Sequence, residues 1–282
     1  MKNKHLKVIK GDVLIKKQLT PAMEDHDIVV HLAASLEILN MMEYPEVDLM
    51  VNAGGTLNVL DTMRKLDINK IVYASSAGVY GEPQRIPMFE EDRLEPYWYY
   101  GVSKLAGEHY CKAFNKLYGI RAGIPRYSIV YGPREWFGRV LTIFINHVLD
   151  NKQPIVFGDG QQLRDFVYIK DVAKVTADLV EYPFYYDIFN IGTEKGTKIE
   201  DLAQIVLKIM KREDLSYRFE DPKSGELGRK YGELKRLVLR IQKAREKLNY
   251  RPTTALSSGI KNLIEWAKEN RDEYWKGKTP RY

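Results

Sequence analysis

The sequence predicts an α/β fold: a doubly wound parallel sheet followed by a smaller C-terminal α/β lobe. Three observations predict it. Short apolar runs alternate with longer amphipathic stretches, the mark of strand–helix–strand units. The run at 28–34 (IVVHLAA) is apolar almost throughout, as in a strand buried on both faces. After Pro133 the texture changes to short strands among helices.

Taken in order, residues 6–9 (LKVI) read as a short strand, and 28–34 as the next, bounded by Asp27. Residues 45–66 read as a helix with Val51, Leu57, Leu60 and Met63 among its apolar positions. A strand follows at 70–76 (KIVYASS), ending in small polar residues, then a Gly- and Pro-containing loop to about 96 and a helix at 98–118. Residues 123–132 (GIPRYSIVYG) read as a strand, with Pro125 awkward near its start because it has no N–H to give a ladder. Beyond it come helices near 138–150, 171–181 and 198–212, and strands at 154–157, 165–169 and 187–191. In a last helix near 256–270, Ile260, Leu263, Ile264 and Ala267 fall at i, i+3, i+4, i+7 and make one apolar face. The expected division is 1–132, with strands near 165–192 returning to its sheet, and 133–282 as the second lobe.

Composition narrows the chemistry. The 282 residues are 44% hydrophobic, enough for a sizeable core, and carry a net charge of +6. The basic residues stand beside acidic ones, as in KIMKREDL and IQKAREKL, which reads as a mixed solvated surface and not a nucleic-acid face. The single Cys111 excludes an internal disulfide and a cysteine metal site, and suits a reducing cytoplasm. The five histidines show no metal-ligand spacing, so no metal is expected. The first residues lack an apolar signal region, and no run of 18 apolar residues exists to span a membrane.

The sharpest constellation is Ser76 with Tyr100 and Lys104. In YGVSK the tyrosine and lysine are four apart, on one helix face. An ammonium there is expected to favour the phenolate and bring its pKa down from about 10. Such a tyrosine serves as general base or acid on a hydroxyl. Ser76 stands at the C-terminal end of a strand, where open α/β sheets bind their ligands.

DIVVHLAA, NAGGTLNVLD, KIVYASSAGVYG, YYGVSKLAGEHY, RYSIVYGPRE and FGDGQQLRDFVYIKDVA occur in that order between about residues 6 and 255. Together they resemble the NAD-dependent epimerase/dehydratase family of extended short-chain dehydrogenase/reductases. The resemblance implies a Rossmann-like sheet, NAD as cofactor, a nucleotide-sugar substrate and a homodimer formed through the helices at 45–66 and 98–118. It implies Tyr100 as catalytic base, Lys104 as its partner and a hold on the nicotinamide ribose, and Ser76 as donor to the reacting sugar oxygen. Asp12 and Val13 would flank the adenine, Ala33 and Ala34 line the cofactor trough, and Asn52 and Tyr127 lie on the cofactor side. Arg164, Arg229 and Glu233 would face the nucleotide sugar; RKYGE is one residue longer than the family's Arg-x-Gly-Asp/Glu. Dehydratases of the family carry an acid just after the serine, because a leaving hydroxyl must be protonated. Here Ala77 and Gly78 occupy those places, which favours a 4-epimerase of the UDP-glucose/UDP-galactose kind. A 4-reductase and a non-catalytic nucleotide-sugar-binding module are the alternatives, the latter separable by whether NAD co-purifies. Ile129 stands where the family often has Asn, leaving the sugar open.

The family's opening strand, Gly-x-x-Gly-x-x-Gly loop and helix are not in the sequence, since GD arrives at residue 11 and a βαβ unit needs roughly 30 residues. The expectation is a start placed upstream, or a fragment. It follows that the strand at 27–31 should be an exposed sheet edge, and the strand at 6–9 should lack its native neighbour. NAD affinity of these 282 residues should also fall by at least about three decades, for want of helix-terminus and glycine-amide contacts.

Overall fold

The computed structural model describes residues 6–36, 44–222 and 233–275. Its main sheet is parallel. β1 (Val29–His31) pairs with β2 (Lys70–Tyr73), which pairs with β4 (Arg121–Tyr127), while β3 (Ser75–Ser76) prolongs the line of β2 along β4. On the far side of β4 lies β9 (Tyr186–Ile191), the predicted returning strand. The register explains how Pro125 is tolerated. Val72 faces Gly123 and Ser75 faces Arg126, so Pro125 comes opposite Ala74, where the strand is interrupted between β2 and β3. The missing N–H therefore falls at a break in the ladder.

Helices cover both faces. On one lie α1 (Lys16–Met23), the rod α2 and α3 (Tyr99–Tyr118), closing a core of Leu60, Met63, Ile71, Tyr73 and Ile124. Rod α2 is made of Pro45–Asp48, a π turn at Leu49–Gly54 and Gly55–Lys65 in succession. On the other face α5 (Ile169–Glu181) presents Val175 and Leu179 to Val72 and Phe189. Burial of each such side chain stabilises by about 1.5–3 kcal/mol. Helix α3 stops at Gly119, whose φ of 70° is the left-handed cap, its N–H returning to the Asn115 carbonyl at 2.9 Å.

The second lobe has its own core. Here α4 (Val140–Leu149), α6 (Ile199–Met210) and, beyond the short α7 (Gln242–Lys247), α8 (Leu256–Tyr274) pack Phe144, Leu202, Val206 and Leu263 together. The predicted apolar face of α8 is the buried one: Ile260, Leu263, Ile264 and Ala267 are all inside. Short strands surround this core. β5 (Ile129–Tyr131) pairs with β8 (Phe166–Tyr168), β6 (Ile155–Phe157) with β11 (Arg218–Glu220), and β7 (Leu163–Arg164) lies between β10 (Thr197–Lys198) and β12 (Arg236–Leu237). The expected single strand at 123–132 is thus two strands in two sheets, parting at Ser128, whose hydroxyl donates to the Asp165 carbonyl at 2.6 Å.

One expectation at the front of the chain is corrected, and one helix there was not foreseen. Residues 6–9 are not a strand; they run without regular structure, with Leu6 and Val8 exposed, because a strand needs a partner for its backbone groups and none is paired there. Residues 16–23, unassigned from the sequence, form α1. So short a helix owes its stability to docking: Lys16 meets Asp61 of α2 at 3.0 Å and Met23 is buried in the core. The exposed edge is as expected, since among the described residues β1 pairs with β2 alone and Val30 is open to solvent.

Candidate active site

Ser76, Tyr100 and Lys104 come together at the C-terminal end of the sheet. Ser76 closes β3, and its Oγ accepts the Gly78 N–H at 3.1 Å as the chain turns into a short 3-10 segment, Ala77–Val79. Helix α3 begins against that segment. A Cβ on Gly101 would stand 2.4 Å from the Gly78 carbonyl oxygen, so only glycine lets the helix start this close. The contact brings the half-buried Tyr100 to the same side of Gly78 as the Ser76 hydroxyl. One turn on, the buried Lys104 donates from Nζ to the Ala74 carbonyl at 2.8 Å, with the Tyr100 ring centroid 5.8 Å away.

The electrostatics differ from the expected picture. Burial pushes the Tyr100 phenol up to about 12, with Arg139 pulling against it, Asp48 reinforcing the rise and the Ser76 hydroxyl lowering it. Burial brings Lys104 down to about 8, Asp48 opposing the fall. The lysine therefore does not bring the tyrosine pKa down here. Its Nζ is turned to a backbone carbonyl, and the desolvation of both groups outweighs their mutual field. The cation that favours the phenolate is Arg139, which donates to the Val130 carbonyl at 3.2 Å and lies 4.0 Å from Glu135. Sequence spacing gives no sign of Arg139, because it arrives from the second lobe.

Asn52 sits in the π turn of α2 and ties three segments together. Its Oδ1 accepts the Ser35 N–H at 2.7 Å, and its amide donates to the Ser35 carbonyl at 3.0 Å, to Asp48 at 2.6 Å and to the Ser103 hydroxyl at 3.1 Å. The stretch after β1, the rod α2 and the catalytic face of α3 are thereby tied together. Asp48 and Ser103 were not singled out in the sequence, although Asp48 at i−4 from Asn52 and Ser103 at i+3 from Tyr100 are helical spacings that could have found them. His31 is a structural histidine, as its strand-end position suggests: it is buried, bonded to Thr56 at 3.1 Å, and lowered to about 4 by burial and then by the Lys104 charge.

The remaining candidates lie apart. Asp12 accepts the Leu14 N–H at 2.9 Å and so shapes its own turn, which Asn58 of α2 fastens through the Val13 carbonyl at 3.1 Å. Ala33 and Ala34 are exposed beyond β1. Tyr127 gives its hydroxyl to Thr176 of α5 at 2.6 Å. Strand alternation sends Tyr127 to the α5 face and its neighbour Arg126 to the α3 face. Arg164 and Glu233 are brought together as a pair at 2.6 Å, with Arg164 also donating to the Leu234 carbonyl at 2.7 Å. Arg229 lies outside the described residues. The exposed stretch after β1 and the Tyr100–Lys104 pair fit the nicotinamide-ribose half of a dinucleotide, whereas no Gly-x-x-Gly-x-x-Gly occurs in the sequence to receive its pyrophosphate. Among the described residues no cluster of acids, histidines and cysteine suits a metal ion, and no helix is long and apolar enough to cross a membrane.

A doubly wound parallel sheet with a Ser–Tyr–Lys cluster at its carboxyl end and a second lobe over it defines a Rossmann-type, dinucleotide-dependent enzyme class. The chain belongs to the NAD-dependent epimerase/dehydratase family, whose model matches residues 1–192. It is 42% identical over 255 residues to a Methanocaldococcus jannaschii protein assigned provisionally as a UDP-glucose 4-epimerase, covering 88% of this chain and 79% of that one. It is similar in structure to the Thermotoga maritima UDP-glucose 4-epimerase solved with UDP-glucose, at a TM-score of 0.87 and 28% identity, over 95% of this chain and 86% of that one. It is also similar to the Bacillus cereus UDP-glucuronic acid 4-epimerase solved with a fluorinated UDP-glucuronic acid and NAD, at 0.83 and 30%, over 93% and 81%.

Proposed function

We propose that this protein is a nucleotide-sugar 4-epimerase acting on a UDP-hexose of the glucose/galactose kind. The observation that carries the reading is the convergence of Ser76, Tyr100 and Lys104 at the C-terminal end of the sheet, with Ala77 and Gly78 following Ser76 where no side chain can protonate a leaving group. NAD, when bound, supplies a reversible hydride acceptor. Lys104 and Tyr100 would hold its nicotinamide-ribose end, with Asn52 supporting that side of the site from behind through Ser103, and Asp12 and Val13 would flank its adenine. Tyr100 takes the proton of the C4 hydroxyl and returns one to the oxygen after the sugar has turned, while Ser76 holds that oxygen. Arg164, Glu233 and Arg229 would face the nucleotide diphosphate, a role suited to guanidinium groups. The test is incubation of UDP-glucose with enzyme and NAD, followed by proton NMR. The expected result is UDP-galactose without net reduction of NAD; accumulation of a 4-keto-6-deoxy sugar, or stoichiometric consumption of reduced cofactor, would overturn it.

The same reading includes a homodimer through α2 and α3. Leu49 of α2 is 61% exposed and Leu117 of α3 71%, with Met50, Val102 and Tyr110 also open to solvent. Phe114 of the same helix is half-buried against the protein's own core, and Met41 and Met42, just before α2 in the sequence, lie outside the described residues. Apolar side chains grouped on two adjoining helices are the material of a two-fold interface. Light scattering at micromolar concentration should give twice the 32.8 kDa chain mass, and Leu117→Glu should give the single mass; a wild-type monomer would remove the dimer from the reading.

A further inference from the structure

Arg164 holds its charge almost out of reach of water, with a side chain only 10% exposed. Its guanidinium is gripped by three acceptors. Nη1 donates to the Leu163 carbonyl at 2.9 Å, and Nη2 donates both to the Leu234 carbonyl at 2.7 Å and to Glu233 Oε1 at 2.6 Å. Both hydrogens of Nη2 are thereby engaged. Two of the three acceptors are neutral backbone groups, and the third is a carboxylate.

The backbone acceptors are fixed by their surroundings. Leu163 lies in β7, which β10 and β12 flank. Leu234 is buried, and Lys235 after it is fastened at both ends: its N–H goes to Glu82 Oε2 at 2.7 Å and its carbonyl takes the Leu163 N–H at 2.9 Å. Glu233 stands ahead of these anchors and outside β12, with its side chain 22% exposed. Rotation about its own side-chain bonds is enough to carry the carboxylate to solvent. The guanidinium would then stay aimed by the two carbonyls.

A guanidinium this far from water is costly without a counter-charge. Glu233 supplies one, and a phosphate oxygen is the other anion that suits the planar fork. The two compete. Nη2 has no third hydrogen to give, and two anions brought together in a poorly hydrated site repel each other.

We propose that Glu233 is a place-holding counter-ion: it occupies Arg164 Nη2 until the diphosphate of a nucleotide sugar displaces it, and then turns to solvent. This rests on the reading of Arg164 as a diphosphate ligand, and it makes Glu233 a competitor of the phosphate. A ligand that lacks phosphate leaves the pair closed.

The test is calorimetric titration of the full chain with UDP, and with uridine as the phosphate-free probe. Glu233→Gln should bind UDP roughly three- to tenfold more tightly than wild type, the hold of a partly exposed ion pair, with uridine unchanged. Glu233→Asp keeps the charge but shortens its reach, so it should show part of the same gain, which a long-range field alone would not give. Arg164→Met, checked for folding by circular dichroism, should weaken UDP. A crystal structure of the wild-type chain with UDP should place Nη2 on a phosphate oxygen and Glu233 out of hydrogen-bond reach. If Arg164→Met weakens UDP but Glu233→Gln binds it no more tightly than wild type, the exchange is overturned and the diphosphate reading of Arg164 stands. Weaker binding of both UDP and uridine by Glu233→Gln would make Glu233 a ligand of the nucleoside, and overturns the exchange as well. If folded Arg164→Met binds UDP as wild type does, Arg164 holds no phosphate and both fall.

Discussion

Tyr100→Phe is expected to lower epimerase turnover by roughly 10²–10⁴-fold, the usual contribution of a positioned general acid–base group, with little change in nucleotide-sugar affinity. The variant keeps the ring, so the packing of Gly101 against Gly78 that seats the start of α3 survives. What disappears is the hydroxyl on the Ser76 side of the cluster. Loss of a group that acts on the reacting oxygen, with ground-state contacts unaltered, appears in kcat and leaves binding in place. Rate measurements with UDP-glucose, paired with calorimetric titration of the same nucleotide sugar, check both halves. A variant within tenfold of wild type in turnover would mean that Tyr100 is not the proton-transfer group. Burial, by holding the phenol up to about 12, keeps the proton on Tyr100 at neutral pH. The wild-type rate should therefore climb as pH rises from neutrality.

The second large effect is on stability. Glu108, one turn beyond Lys104 on α3, and Arg126 of β4 form a bidentate pair, Nε to Oε1 at 2.9 Å and Nη2 to Oε2 at 2.7 Å, with both side chains almost wholly buried. Arg126 goes on to Tyr80 at 2.9 Å, and Tyr80 to Asn190 of β9 at 2.7 Å, so the pair joins helix, sheet and loop. Glu108→Gln leaves a guanidinium buried without its counter-charge. Removing one partner of such a pair costs about 3–5 kcal/mol. For a chain of this size that lowers the melting temperature by on the order of 10 °C. The double variant Glu108→Leu/Arg126→Met removes both charges and should recover most of the loss. Circular dichroism melts of the three proteins settle the matter: a single variant that melts with the wild type would show the pair to be energetically neutral.

Much of this was legible in contiguous residues. The spacing in YGVSK puts Tyr100 and Lys104 on one turn of α3, and the stripe from Ile260 to Ala267 is the buried face of α8. Both are helical periodicities, written within a dozen residues. The absence of an acid at Ala77 and Gly78 is likewise a local fact. The alternation of strands and helices was enough for a parallel sheet covered on both faces, and for β9 returning to it across the second lobe.

Other features exist only where distant segments meet. LKVI has the composition of a strand, yet without a neighbour its backbone stays unpaired. The proton affinity of Tyr100 is set by burial and by an arginine 39 positions later, reversing the direction that Lys104 alone suggests. Arg164 and Glu233 become partners because β12 runs beside β7, and Tyr127 faces Thr176 because α5 covers that side of the sheet. Sequence by itself determined which residues can share a helix face or a strand, since periodicity is a property of the local backbone. Tertiary structure alone decided which charges face one another and how far each is removed from water, because Coulomb and desolvation energies depend on distances that chain order does not contain.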